Sequence, residues 1–284
     1  MCHESSGVAL SESIGIEKGT VKLSCFEKAD LILVIGQNPG TNHPRMLTAL
    51  AACKENGGSV VSINPLEETA MKRFKHPQNP LHLIGRGVQI ADEHLPVRIG
   101  GDAALLQGFA KTILSQGGAD LDFISANTLG FEDWKKHIES TNWEKIVEQS
   151  GISRDRIEKT GNAIAKSERM IVCWAMGLTQ HENSVAVIQE VSNLLLAGGH
   201  FGKPGAGACP VRGHSNVQGD RTVGVNHNPT EDFISSCESE TGINMPRKKG
   251  YDVVEFIHAA LQGRVRTFMA LGGNLVSALS LIHI

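Results

Sequence analysis

LILVIGQNPG, residues 31–40, decides the fold. Alternate side chains of a strand point to opposite faces, so five consecutive aliphatic residues leave no face for water. Such a run predicts a strand buried on both sides, as in a parallel sheet covered by helices. It breaks at Gly36-Gln37-Asn38-Pro39, and a helix expected over 43–56 stops at Gly57-Gly58. SVVSI at 59–63 is the next strand and breaks at Asn64-Pro65. The same unit returns as MIVCWA at 170–175, which breaks at Met176-Gly177 before a helix expected over 183–196 and ended by Gly198-Gly199. A further strand is expected over 267–271, before Gly272-Gly273-Asn274. Strands alternating with helices predict an α/β fold with a doubly wound, mostly parallel sheet. Ligands of such sheets lie beyond the carboxyl ends of the strands, where these glycine breaks fall.

Between the strand units, helices are expected over 102–114, 131–140, 143–148 and 154–167, the last with Ser153 as N-cap. They read as surface helices packed on the sheet. From 198 to 219 the chain runs GGHFGKPGAGACPVRGHSNVQG, too rich in glycine for regular structure and long enough to suggest a functional loop. The polar stretch 226–249 reads as a second irregular connection. We place one α/β domain at 1–214 and part of a second α/β domain at 215–278. The chain opens directly onto Cys2-His3, and its last six residues, LSLIHI at 279–284, match what a sequencing-transposon end would encode. The expectation is therefore an internal piece of a longer protein ending in a sequencing scar.

With 284 residues, 40% hydrophobic and 20% charged, the composition is that of a soluble globular protein. A net charge of −3 offers nothing built to neutralise a phosphate backbone, which argues against a nucleic-acid partner. The six cysteines, Cys2, Cys25, Cys53, Cys173, Cys209 and Cys237, stand far apart without a CxxC pair, so a reduced, cytoplasmic protein is expected. No stretch approaches the roughly 18 apolar residues of a membrane span.

Glycine after a strand lets the backbone approach a ligand closely, and N–H groups of the next turn can hold a diphosphate. One such turn says little. Three suggest an extended, phosphate-bearing ligand touched from several strand ends. In the glycine loop, Lys203 and Arg212 are the only lysine or arginine residues. Arg212 suits an anion, or it pairs with a carboxylate across a domain boundary. Cys2-His3 joins a soft metal ligand to a group that exchanges protons near neutral pH, although the dipeptide alone proves nothing.

Taken together, these stretches resemble the formate dehydrogenase alpha-subunit family of bis-molybdopterin enzymes, especially its FdhF/YdeP-like branch, over nearly the whole chain. MCHESSGVAL resembles the segment in which selenocysteine or cysteine coordinates molybdenum and histidine follows. GQNPGTNHPR and SINPLEETA are similar to the two guanosine-side turns, and MGLTQ at 176–180 and GKPGAGACPVRGHSNVQG at 202–219 to further loops that embrace the cofactor. The resemblance implies the family's domain 1–3 fold, shared with dimethyl sulfoxide reductase. It implies molybdenum bis-molybdopterin guanine dinucleotide as cofactor and a [4Fe-4S] cluster from an N-terminal region missing here. It makes Cys2 the metal ligand, His3 the nearby proton acceptor and Arg212 the binder of an anionic substrate. It sets Gly36, Asn38, Asn64, Gly177, Thr179, Gln180, Gly205, Gly213, Asn216 and Gln218 along the two pterin dinucleotides.

The implied reaction is a two-electron oxidation or reduction of a small, formate-like anion, with an unknown electron acceptor, and the piece alone is expected to be inactive. Glu4-Ser5-Ser6, His214 and Asn64 depart from the formate dehydrogenase pattern, which weakens the substrate assignment more than the cofactor assignment. His181 and Cys209 have no counterpart role, and Cys209 reads as a small packed residue. Two rivals remain. A nicotinamide-type dehydrogenase lacks its G-x-G-x-x-G after a strand. A non-catalytic relative serving as a binding or regulatory module would have little use for Cys2, His3 and Arg212.

Overall fold

A computed structural model describes residues 2–85, 87–214 and 216–274, so the scar expected at 279–284 lies outside the described residues. The chain divides into two compact units, Cys2–Gly213 and a second beginning at His214.

The first unit opens with helix α1 (Glu4–Ile14), closed by Gly15 in the left-handed conformation. Strand β1 (Leu31–Ile35) leads through the single turn α2 (Pro39–Asn42) and helix α3 (Met46–Glu55) to β2 (Ser59–Ile63). The short helices α4 (Thr69–Lys72) and α5 (Pro80–Ile84) precede β3 (Glu93–Leu95). Helices α6 (Asp102–Ser115), α7 (Leu121–Asn127), α8 (Phe131–Ser140), α9 (Trp143–Ser150) and α10 (Arg154–Lys166) separate β3 from β4 (Met170–Trp174). The turn α11 (Met176–Thr179) and helix α12 (Ser184–Ala197) then lead to β5 (Gly207–Pro210).

The strands lie in the order β3-β2-β1-β4-β5, and every neighbouring pair is parallel. From β1 the chain builds outward through β2 to β3, then returns to the other side of β1 to lay down β4 and β5. Connections leave β1 and β4 in opposite directions, which opens a crevice at the carboxyl ends of these two strands. The α/β architecture with a parallel sheet is the one the sequence predicts.

All five residues of β1 are buried. Leu31, Leu33 and Ile35 join Leu105 and Phe109 of α6 and Ile188 and Val191 of α12 in one core, while Ile32 and Val34 join Leu47 and Leu50 of α3 in the other. Each such side chain contributes roughly 1.5–3 kcal/mol on burial, so a strand covered on both faces tolerates no polar alternation. Helix α1 packs along α12, burying Ala9 and Leu10 completely.

Several elements differ from expectation. The helix expected over 43–56 begins only at Met46, because His43 precedes Pro44 and leaves helical geometry at φ −140°. The loop 198–219 contains β5, whose small residues pair with β4 through the backbone, and Thr20 satisfies its outer edge: the Thr20 amide donates to Ala208 O at 2.9 Å and the Ala208 amide to Thr20 Oγ1 at 2.9 Å. Strand β3 and helix α1 were not foreseen.

Among its described residues the second unit has helices α13 (Val217–Thr222), α14 (Glu231–Thr241) and α15 (Val253–Leu261) and no strand. Helix α14 replaces the irregular connection expected over 226–249. Thr230 caps it by accepting from the Phe233 amide, and Glu231 and Asp232 complement its positive end. The strand expected over 267–271 does not form. Among the described residues of this unit no strand stands ready to take its backbone N–H and C=O groups.

Candidate active site at the strand switch point

The turns after β1 and β4 meet backbone to backbone. Gly36 has φ +58°, and a Cβ placed on it would lie 2.7 Å from Gly177 Cα; a Cβ on Gly177 would lie 2.4 Å from Gly36 Cα. Only glycine allows this approach. The Gly177 amide donates to Gly36 O at 3.0 Å and the Gly36 amide to Ile63 O at 2.9 Å, so three strand ends are tied together.

Two imidazoles stand beside this junction. The Nε2 of His3 faces Val211 O at 2.9 Å, and since a carbonyl only accepts, Nε2 carries the hydrogen. Nδ1 then accepts from the Ser6 hydroxyl at 2.9 Å, and Ser6 Oγ accepts from Trp174 Nε1 at 2.9 Å. His3 is 2% exposed. Burial first and the charge of Arg212 second lower its pKa to about 4, against a smaller raising effect of the Val211 carbonyl. It is therefore neutral at neutral pH, with both nitrogens engaged. His43 donates from Nε2 to Arg212 O at 3.0 Å, and its Nδ1 accepts from Gln37 Nε2 at 3.3 Å.

Cys2 lies beside the segment that carries Arg212. Thr179 Oγ1 donates to Cys2 O at 2.8 Å, and Cys2 Sγ lies 3.9 Å from where a Gly213 Cβ would stand. Arg212 Nη2 donates to Glu17 O at 2.8 Å. Burial lowers the Arg212 pKa, while the Cys2 thiol and the Glu4 carboxylate act to raise it.

The asparagines of the β1 and β2 turns converge on one carboxylate. Asn38 Nδ2 donates to Glu68 Oε2 at 2.7 Å and Asn64 Nδ2 to Glu68 Oε1 at 3.1 Å. Next to them a cleft of about 290 Å³ is lined by Ser62, Glu67, Met71, Lys72, Gln89 and His94. Two buried polar atoms on these residues, Ser62 Oγ and His94 Nδ1, lack partners. Gln180 Nε2 donates to Thr179 Oγ1 at 3.4 Å.

Gly36, Asn38, Asn64, Gly177, Thr179, Gln180, Gly213, Cys2, His3 and Arg212 thus belong to the carboxyl edge of the sheet. Gly205 does not. It sits before β5 with φ +90°, against the Lys28 carbonyl that precedes β1, at the amino end of the strands. Its glycine serves the tight entry into β5. Asn216, with φ 53°, and Gln218 lie in the second unit, at the start of α13. Cys209 is half-buried on β5, in register with Cys173.

Sequence reasoning missed Gln37, His43, Glu68, Ser6 and Trp174. Gln37 and His43 lie inside a turn already singled out, but nothing local distinguishes them. The Trp174–Ser6 bond spans 168 positions and has no local signal.

Gln37 is 3% exposed, and its Oε1 and the Arg212 Nε are buried without partners among the described residues. Such orphaned groups cost about 1–3 kcal/mol each unless a ligand satisfies them. With the glycine contact and a nearby thiol, they fit a large polar ligand that carries a soft metal.

The molybdopterin oxidoreductase family matches residues 4–279. The chain belongs to this family. It is similar to protein YdeP of Escherichia coli, 42% identical over 290 residues and covering 98% of this chain and 38% of that protein. It is also similar to formate dehydrogenase H of Escherichia coli, 27% identical over 280 residues and covering 95% of this chain and 37% of that protein. Among solved structures, acetylene hydratase from Pelobacter acetylenicus shares the fold, with a TM-score of 0.59 and 22% identity over 72% of this chain and 25% of that one. The chain spans little more than a third of the length of the curated relatives it matches. No helix among the described residues is long and apolar enough to cross a membrane.

Proposed function

We propose that the whole protein carries out a two-electron oxidation or reduction of a small anion, formate-like in charge and size, with molybdenum held by two molybdopterin guanine dinucleotides. The observation that carries this reading is the convergence of Cys2 and Arg212 beside the Gly36–Gly177 contact. The bound metal centre would supply the electron-accepting or electron-donating chemistry. Cys2 would hold it through its sulfur, because a thiolate suits a soft metal. Gly36, Gly177, Thr179, Gln180 and Gly213 would line the pterins, and the cleft beside Asn38 and Asn64 would take a nucleoside end. Asn216 and Gln218 would bind the cofactor in the whole protein.

Arg212 binds and orients the anion, since its Nε has no partner among the described residues and a guanidinium grips a carboxylate at two points. His3 receives the substrate proton at Nδ1, the nitrogen without a hydrogen, once the Ser6 hydroxyl turns from donor to acceptor. A [4Fe-4S] cluster, which the resemblance implies for the whole protein, would supply the path for the electrons to an acceptor. Six free cysteines support a reducing, cytoplasmic setting.

The test is the full-length protein produced with molybdate. Elemental analysis should find molybdenum with guanine nucleotide near two per metal, a low-temperature paramagnetic signal should reveal the reduced cluster, and formate should reduce a viologen dye. Metal-free and nucleotide-free protein that reacts with a nicotinamide dinucleotide would overturn the proposal.

A further inference from the structure

We propose that His43 is a positioning residue which, together with His3, clamps the segment bearing Arg212 by donating to successive backbone carbonyls. His3 takes Val211 O at 2.9 Å and His43 takes Arg212 O at 3.0 Å. The inference rests on the reading that Arg212 receives the anion. Residues 211–213 follow β5 and have no regular structure of their own. Val211 is anchored through its amide, which donates to Trp174 O at 2.8 Å, whereas the Arg212 carbonyl is held by His43.

Each imidazole is oriented by a second donor. Ser6 Oγ supplies a hydrogen to His3 Nδ1 and Gln37 Nε2 supplies one to His43 Nδ1, so in both rings Nε2 is left to carry the hydrogen that the carbonyl needs. The Gln37 amide is itself fixed, since Nε2 also lies 3.1 Å from Met46 Sδ of α3. The clamp therefore ties the arginine segment to two separate supports: α1 with β4 through Ser6 and Trp174, and the β1 turn with α3 through Gln37 and Met46. The guanidinium has the Glu17 carbonyl as an anchor at Nη2, and the direction of its unpartnered Nε follows the backbone that the imidazoles hold. Gly213, next in the chain, rests beside Cys2 Sγ, so slackening the segment uncovers the thiol as well as freeing the arginine.

The experiment compares full-length wild-type, His43→Phe and His43→Gln proteins. Phenylalanine keeps bulk and removes the donor, and glutamine can place an amide N–H near the former Nε2. Hydrogen exchange read by mass spectrometry on the peptide covering 206–213 should be about tenfold faster in His43→Phe, with the peptide covering β1 unchanged. In protein produced without molybdate, iodoacetamide should alkylate Cys2 severalfold faster in His43→Phe. His43→Gln should return both rates toward wild type. Wild-type rates in His43→Phe, or equal acceleration in β1 that glutamine does not rescue, would overturn the proposal. Neither readout needs turnover, so an absence of molybdenum in wild-type protein would count against the proposed function and leave the clamp to be judged by these rates.

Discussion

Replacing Gly177 by alanine probes the contact on which the site is built. The new Cβ would lie 2.4 Å from Gly36 Cα, 2.7 Å from Gly36 O and 2.9 Å from Gly36 C. Ordinary carbon contacts are about 3.5–4.0 Å, so roughly 1 Å of relief is needed. All three atoms are backbone, and no side chain can swing aside to supply it. The end of β1 or of β4 must move, which stretches the 3.0 Å bond from the Gly177 amide to Gly36 O. Overpacking of this kind costs about 1–3 kcal/mol and the weakened bond about 1 more, a total of about 2–4 kcal/mol. That is a large share of the usual margin of a folded domain. The assay is the thermal unfolding midpoint and the molybdenum content of full-length Gly177→Ala beside wild type and a Gln116→Ala control at the exposed end of α6. The variant should melt several degrees lower and carry less metal, with the control unchanged. Wild-type melting with full metal content in Gly177→Ala would refute the backbone contact.

Cys2→Ala should abolish turnover, and unchanged activity by a dye-linked assay would remove its role. Arg212→Ala should raise the KM for an anionic substrate at least tenfold and barely alter that for a neutral one; equal losses would mark a structural arginine. His200 is 1% exposed and its Nδ1 accepts from the Met170 amide at 3.4 Å. Burial, then Lys203, lowers its pKa from 6.5 to about 4. The unfolded chain therefore takes up this proton below 6.5 while the folded one refuses it. The stability due to neutral His200 is whole above pH 6.5 and falls as pH drops toward 4, by about 3 kcal/mol. Unfolding free energy measured against pH should show that slope and become shallower in His200→Gln, with the part due to His3 remaining; identical slopes would contradict the account. Trp174→Phe and Ser6→Ala should each cost about 1–2 kcal/mol, and the double variant less than their sum, because the two side chains share one hydrogen bond. Strict additivity in denaturant titrations would mean that the bond contributes nothing.

What the sequence made legible follows from how local each cause is. LILVI at 31–35 announces two-sided burial within five residues, and the glycine after it announces a turn. The order of the sheet carries no such mark: β4 pairs with β1 across 139 positions, and only that pairing brings Gly177 onto Gly36. Strand β5 was hidden because Gly207 and Ala208 have little strand propensity of their own and are held by the backbone of β4 and by Thr20. The same dependence on context sets the place of Gly205, whose close approach to the Lys28 carbonyl has no local mark. In the site, a thiol and a guanidinium stand out because their chemistry is intrinsic to the side chain. Glutamine, histidine and glutamate at 37, 43 and 68 do not, since an amide, an imidazole or a carboxylate acquires its task from the group opposite. His43 has its partner carbonyl 169 positions away. The segment that carries Arg212 follows β5 without regular structure of its own, so its carbonyls are held by distant donors. A substitution at one of those donors should therefore act on the arginine's segment and on Cys2 together, because Gly213 lies against the thiol at the end of that same segment.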